Sequence, residues 1–141
     1  MNLYVESSAV LAWLLEEPAA DSVEAVFDQA EEVVASALTL VECDRALIRA
    51  QIWGALSDAE VLRRRTLLES VSSHWTFLKL DREVLERARY RLPVEPVRTL
   101  DALHLATALT ARSAVSDLAL LSLDQRVRDN GAALGFDVLP V

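Results

Sequence analysis

Residues 2–18, NLYVESSAVLAWLLEEP, read as a buried strand that ends on an acid and runs almost directly into a helix. Residues 2–6 are apolar and rich in β-formers. Ser7 or Ser8 is placed to cap a helix through AVLAWLLEE, which Pro18 terminates. A strand that feeds a helix without a hairpin signal is the opening unit of an α/β fold.

The same unit recurs down the chain. AADSVEAVFDQAEE (19–32) reads as a second helix, with Val23, Val26 and Phe27 at helical spacing, and VVASA (33–37) as a short strand. Ser36 is placed to cap ALTLVECDRALIRAQIW (37–53), which Gly54 closes. Ser57, with Glu60 three positions later, gives a capping box for DAEVLRRRTLLESVSSHW (58–75). TFLKL (76–80) is a third strand, and Asp81 caps REVLERARYRL (82–92), ended by PVEPVR (93–98). LDALHLATALTAR (100–112), opened by Thr99 or a neighbour, precedes the strand LALLSL (118–123), the helix QRVRDNGAALG (125–135) and a last strand FDVLP (136–140). Alternating strands and helices predict a mostly parallel sheet covered on both faces, with strand C-termini along one edge.

Four acids fall at that edge. Glu6 and Asp124 end apolar strands, while Glu42 and Asp101 sit near the N-terminal ends of apolar helices. Ligands of open α/β sheets bind in the crevice beyond the strand C-termini. Four carboxylates converging there repel one another and require a divalent cation to offset their charge. Replacing Asp101 or Glu42 by its isosteric amide is expected to raise the stability of metal-free protein, because it relieves that repulsion.

Composition sets the outer bounds. A chain of 141 residues, 52% hydrophobic with three glycines, fits one ordered domain spanning 1–141. The N-terminus has no basic stretch followed by an apolar core, and no apolar run approaches membrane-spanning length. Cys43 has no second thiol to pair with. A cytoplasmic protein is expected. The net charge of −8 supplies no global attraction for a phosphate backbone, although removing four clustered carboxylates would halve it. All but one of the 14 basic residues are arginine, whose planar fork suits phosphate and carboxylate.

Together, YVESSAVLAWLLEEP, SALTLVECDRAL, RTLDALHLATAL and LLSLDQRVRDNGAALGFDVLP resemble the PIN domain, and within it the VapC-type toxins of bacterial toxin–antitoxin pairs. The match runs along essentially the whole chain in order. The resemblance implies a three-layer α/β/α sandwich with a central five-stranded parallel sheet. It further implies Mg²⁺- or Mn²⁺-dependent endoribonuclease activity in a homodimer silenced by a VapB-like antitoxin, with RNA as substrate. By motif, the acids are Glu6, Glu42, Asp101 and Asp124, flanked by the hydroxyls of Ser7, Ser8 and Ser122.

Position 6 departs from the family pattern, which usually has aspartate there; the extra methylene displaces the carboxylate by about 1.5 Å. Mg²⁺ demands near-ideal octahedral geometry, so this departure bears on metal preference and rate. Hard oxygen ligands in general suit Mg²⁺ and Mn²⁺, whereas zinc favours His and Cys.

Other residues take plainer readings. His104, one turn from Asp101, is expected to be a packed, hydrogen-bonded histidine outside the metal set. Arg45 and Arg49 follow Glu42 on its helix and are candidates for RNA or phosphate contact, or for pairing with a local acid. Arg63, Arg64 and Arg65 diverge around a helix and read as a solvated face, and Trp13, Trp53 and Trp75 as core or interface anchors. A receiver-type phosphoacceptor would need a lysine in its last strands, whereas Lys79 lies in the third. A nucleotide-binding module would need a glycine-rich fingerprint that the chain lacks. The alternative within the same fold is a catalytically weakened binding module, acting mainly through its antitoxin complex in transcriptional autoregulation.

Overall fold

Asn2–Val5 (β1) is the middle strand of a five-stranded parallel sheet in the computed structural model, which describes residues 1–141. The other strands are Glu32–Ser36 (β2), Thr76–Leu78 (β3), Leu118–Leu121 (β4) and Val138–Leu139 (β5), in the order β3-β2-β1-β4-β5. Helices Ser7–Leu14 (α1), Ala20–Gln29 (α2), Leu38–Ile52 (α3), Asp58–Ser72 (α4), Arg82–Ala88 (α5), Thr99–Arg112 (α6) and Gln125–Ala133 (α7) complete it.

Side-chain alternation along β1 divides the interior in two. Leu3 and Val5 enter a core with Val10, Leu14, Val23, Leu47 and Leu68 from α1–α4. Tyr4 points the other way, into a core with Leu105, Ala108 and Val127 from α6 and α7. β4 is buried along its whole length, as expected for a parallel strand covered on both faces. This is the three-layer sandwich that the sequence implies.

Several helix ends follow local chemistry. Ser57 and Glu60 form the capping box of α4, Asp81 caps α5 at Val84 N, and Asp124 caps α7. Elsewhere the boundaries move. Glu6, rather than a serine side chain, caps α1, and the helix stops at Leu14, with Glu16 in the left-handed region (φ 55°) ahead of Pro18. α3 is less buried than its apolar residues suggest: Val41 is 57% exposed, and the inward face is Thr39, Cys43, Ala46 and Leu47. Gly131 lets α7 approach the sheet closely, since a Cβ there would lie 2.4 Å from Leu120 Cδ2.

Arg64 and Trp53 also depart from the plain readings. Arg64 is 9% exposed, donates to the Leu14 carbonyl and pairs with Glu16 and Glu60, so the arginine triplet is not uniformly solvated. Trp53 is 78% exposed at the end of α3 and is no core anchor, whereas Trp13 and Trp75 pack against the first core.

No helix is long and apolar enough to cross a membrane.

Candidate functional site

Strand register builds one half of the site. Val5 pairs with Ala35 and with Leu121, so the next residues, Glu6, Ser36 and Ser122, leave the sheet at one level. Glu6 is only 4% exposed. Its Oε1 accepts from Ser8 N at 3.1 Å, and its Oε2 accepts from the hydroxyls of Ser8 and, at 2.7 Å, Ser122. Ser8 Oγ in turn accepts from the backbone N–H groups of Leu123 (2.9 Å) and Asp124 (3.2 Å). The two serines thereby stitch Glu6 to the turn that presents Asp124. Asp124 Oδ1 accepts from Arg126 N and Val127 N, the free donors at the start of α7.

Glu42 and α6 build the other half. Glu42 is partly exposed on α3, and its Oε1 accepts from Ser7 Oγ at 2.6 Å and faces His104 Nε2 at 2.5 Å. Burial pushes the Glu42 carboxyl up, but hydrogen bonds from His104 and Ser7 outweigh it and hold the carboxyl below its ordinary range. His104 is buried, with Nδ1 3.2 Å from the Tyr4 hydroxyl and Nε2 2.9 Å from Ser7 Oγ. Cys43 beside Glu42 is buried and inert, its thiol pushed up to about 12 by burial and then by the charges of Glu42, Asp44 and Glu6.

Asp101 joins the halves electrostatically. It lies in the first turn of α6, one turn before His104. Burial raises its carboxyl, and the charges of Asp124 and Glu6 raise it further, against smaller opposing effects of His104 and Arg98. Asp101 therefore senses both Asp124 and Glu6, as expected of an acid gathered with others at one edge. In this arrangement, however, no three His, Cys, Asp or Glu side chains form a ready-made cation site.

The donor chemistry nonetheless fits a hard divalent ion. Both Asp101 oxygens, Glu42 Oε2 and Asp124 Oδ2 make no hydrogen bond within the protein. Glu6 Oε1 accepts one bond and retains acceptor capacity. Five surface grooves of about 260–760 Å³ are lined by none of the four acids.

Among the sequence candidates, Ser7, Ser8 and Ser122 all bond to the acids. Arg45 and Arg49 are exposed and bond to none of them. One residue was not anticipated. Arg98, the N-cap position of α6, is close enough to act on the Asp101 charge, and its spacing three positions before the acid was the available signal. His104 is packed and hydrogen-bonded as expected, but its partner is the second acid, Glu42.

The family model of the PIN domain matches residues 3–132. Ribonuclease VapC46 of Mycobacterium tuberculosis (strain ATCC 25618 / H37Rv) is 35% identical over 137 residues, 97% of this chain and 95% of that protein. Ribonuclease VapC35 of the same strain is 31% identical over 139 residues, again 97% and 95%. Among solved structures, M. tuberculosis VapC20, a sarcin–ricin loop cleaving toxin, superposes with a TM-score of 0.68 at 15% identity, over 98% of this chain and 99% of that one. VapBC2 from Rickettsia felis, bound to a DNA fragment from its promoter, gives 0.68 at 10% identity over 99% and 98%. At these identities the superpositions establish the fold.

Proposed function

The chain belongs to the PIN-domain family, among its VapC ribonucleases, and from that membership we propose that it is the endoribonuclease toxin of a VapBC-type pair, dependent on a divalent cation. The observation that carries this reading is the state of Asp101: a carboxylate without a hydrogen-bond partner, raised by burial and by the charges of Asp124 and Glu6. A carboxylate held against like charges in this way favours a cation.

Asp101, Glu42 through Oε2, Asp124 through Oδ2 and Glu6 through its remaining lone pairs are the residues that would hold Mg²⁺, with Mn²⁺ as substitute. Bound there, the ion supplies Lewis acidity toward a phosphoryl oxygen and lowers the pKa of a nucleophilic water. The protein's own contribution is placement. Ser8 and Ser122 fix Glu6 and the Asp124 turn, Ser7 fixes Glu42, and Arg98 offers positive charge beside Asp101 for the RNA backbone. Hydrolysis adds water across one P–O bond, and no side chain need form a covalent intermediate.

A VapB-like antitoxin and a second copy of the chain are the proposed protein partners, with the cytoplasm as the site of action. The binding-module reading is favoured by one observation: Glu6 already has hydrogen bonds on both oxygens. Antitoxin-free protein should cleave RNA with Mg²⁺ or Mn²⁺, and Asp101→Asn should abolish cleavage. No cleavage with either metal would leave the binding-module reading in its place.

A further inference from the structure

His104 has a more specific task than filling space in α6. Its ring is 1% exposed, yet both ring nitrogens face polar partners from other elements: Glu42 Oε1 at 2.5 Å and the Tyr4 hydroxyl at 3.2 Å. An ionised carboxylate only accepts hydrogen bonds, so Nε2 carries the proton that points at Glu42. Tyr4 is wholly buried and stays a phenol, so its O–H can donate to Nδ1 and select that tautomer from behind. Ser7 donates to the same Glu42 oxygen at 2.6 Å.

The consequence falls on Glu42. A glutamate side chain has three rotatable bonds, and this one stands at a partly open edge where water competes for it. Two donors on Oε1 fix the carboxylate plane and leave Oε2 without a protein partner. We propose that His104 is a positioning residue: with Ser7 it clamps Glu42 Oε1, Tyr4 locks its ring, and Oε2 is thereby presented to the acid edge formed by Asp101, Asp124 and Glu6. Partners that orient a ligating group commonly tune metal affinity. The metal and activity consequences rest on the nuclease reading; the clamp itself does not.

A double-mutant cycle tests the route of action. Apparent Mn²⁺ affinity, read from the electron paramagnetic resonance of free Mn²⁺, is compared for wild type, His104→Leu, Glu42→Gln and the double variant. Each single change is expected to weaken binding about tenfold or more. The double variant should bind no more weakly than the weaker single variant, because His104 acts through Glu42. His104→Gln, which keeps an N–H donor within reach of Glu42, should recover most of the loss. Unchanged affinity in His104→Leu, or losses that multiply in the double variant, overturns the proposal. If His104→Leu does not fold, His104→Gln and Tyr4→Phe carry the comparison.

A metal-free measurement separates this proposal from the nuclease reading. The chain has two histidines, His74 and His104, so ¹⁵N-histidine spectra are readily assigned. In chelator, His104 should be protonated at Nε2, its N–H proton far downfield, with the signal moving upfield in Glu42→Gln and the tautomer preference weakening in Tyr4→Phe. An unprotonated Nε2, or a spectrum indifferent to Glu42→Gln, overturns the clamp whether or not RNA is cut. The expected spectrum in a protein that binds no Mn²⁺ and cuts no RNA sustains the clamp and sinks the nuclease reading alone.

Discussion

The Ser122 hydroxyl donates to the Glu6 carboxylate at 2.7 Å, joining the ends of two adjacent central strands across 116 residues of sequence. Glu6 is almost wholly buried, so this bond stabilises a charge that water cannot reach. Ser122→Ala is expected to cost about 1.5–3 kcal/mol, the usual range for a hydrogen bond to a charged group. Urea denaturation measures it. A change within about 0.5 kcal/mol, typical of an inconsequential surface substitution, would show that Ser8 alone suffices.

Asp101 and Glu42 should respond to pH in opposite senses. The raised Asp101 carboxyl holds its proton more tightly in the folded state, so its contribution is complete below the unfolded value of about 3.9 and is lost as pH rises through the folded one. The lowered Glu42 carboxyl contributes above its unfolded value of about 4.3 and loses that contribution as pH falls through the folded one. In chelator at pH 7, Asp101→Asn should therefore melt above wild type and Glu42→Gln below it. This splits the common gain expected from like-charge repulsion alone. Melts of both variants across pH 3–7 decide it, and a gain in Glu42→Gln would contradict the His104 and Ser7 bonds.

Glu6→Asp restores the usual family residue but withdraws the carboxylate by about one bond length. Aspartate is a good helix cap, so the bond from Ser8 N should survive. The Ser122 bond should not, at a cost of about 1.5–3 kcal/mol. Mg²⁺-dependent cleavage is expected to be preserved or increased. Collapse of activity in a folded variant would show that the longer side chain is integral to this site.

Gly131→Ala should destabilise through the sheet rather than through helix propensity. The new methyl would meet Leu120 Cδ2 at 2.4 Å and Val138 Cγ2 at 3.3 Å, and Leu120 is 1% exposed. Overpacking of this kind costs about 1–3 kcal/mol. A thermal melt with unchanged or raised midpoint would mean that α7 shifts without penalty.

What the sequence disclosed was local. The Ser57–Glu60 box and the cap at Asp81 were legible because each partner lies within a few residues. Strand ends placed the acids at one edge because hydrophobic runs stop where strands leave the core. The role of His104 was not legible, since its partners Tyr4 and Glu42 lie 100 and 62 residues away. Arg64 was misread for the same reason: one face of α4 packs on the end of α1, and its bond to the Leu14 carbonyl spans 50 residues. Helical spacing identifies a face but not its neighbour.

Ser7 and Ser8 are consecutive on the first turn of α1, yet one holds Glu42 and the other holds Glu6 and the Asp124 turn. The start of α1 therefore works as a yoke. Any rotation of the helix about its axis moves both hydroxyls together, so the two acids cannot be re-aimed independently. Val10 and Leu14, which seat α1 in the core, set that rotation from a distance. Repacking beneath the helix should disturb both halves of the site together.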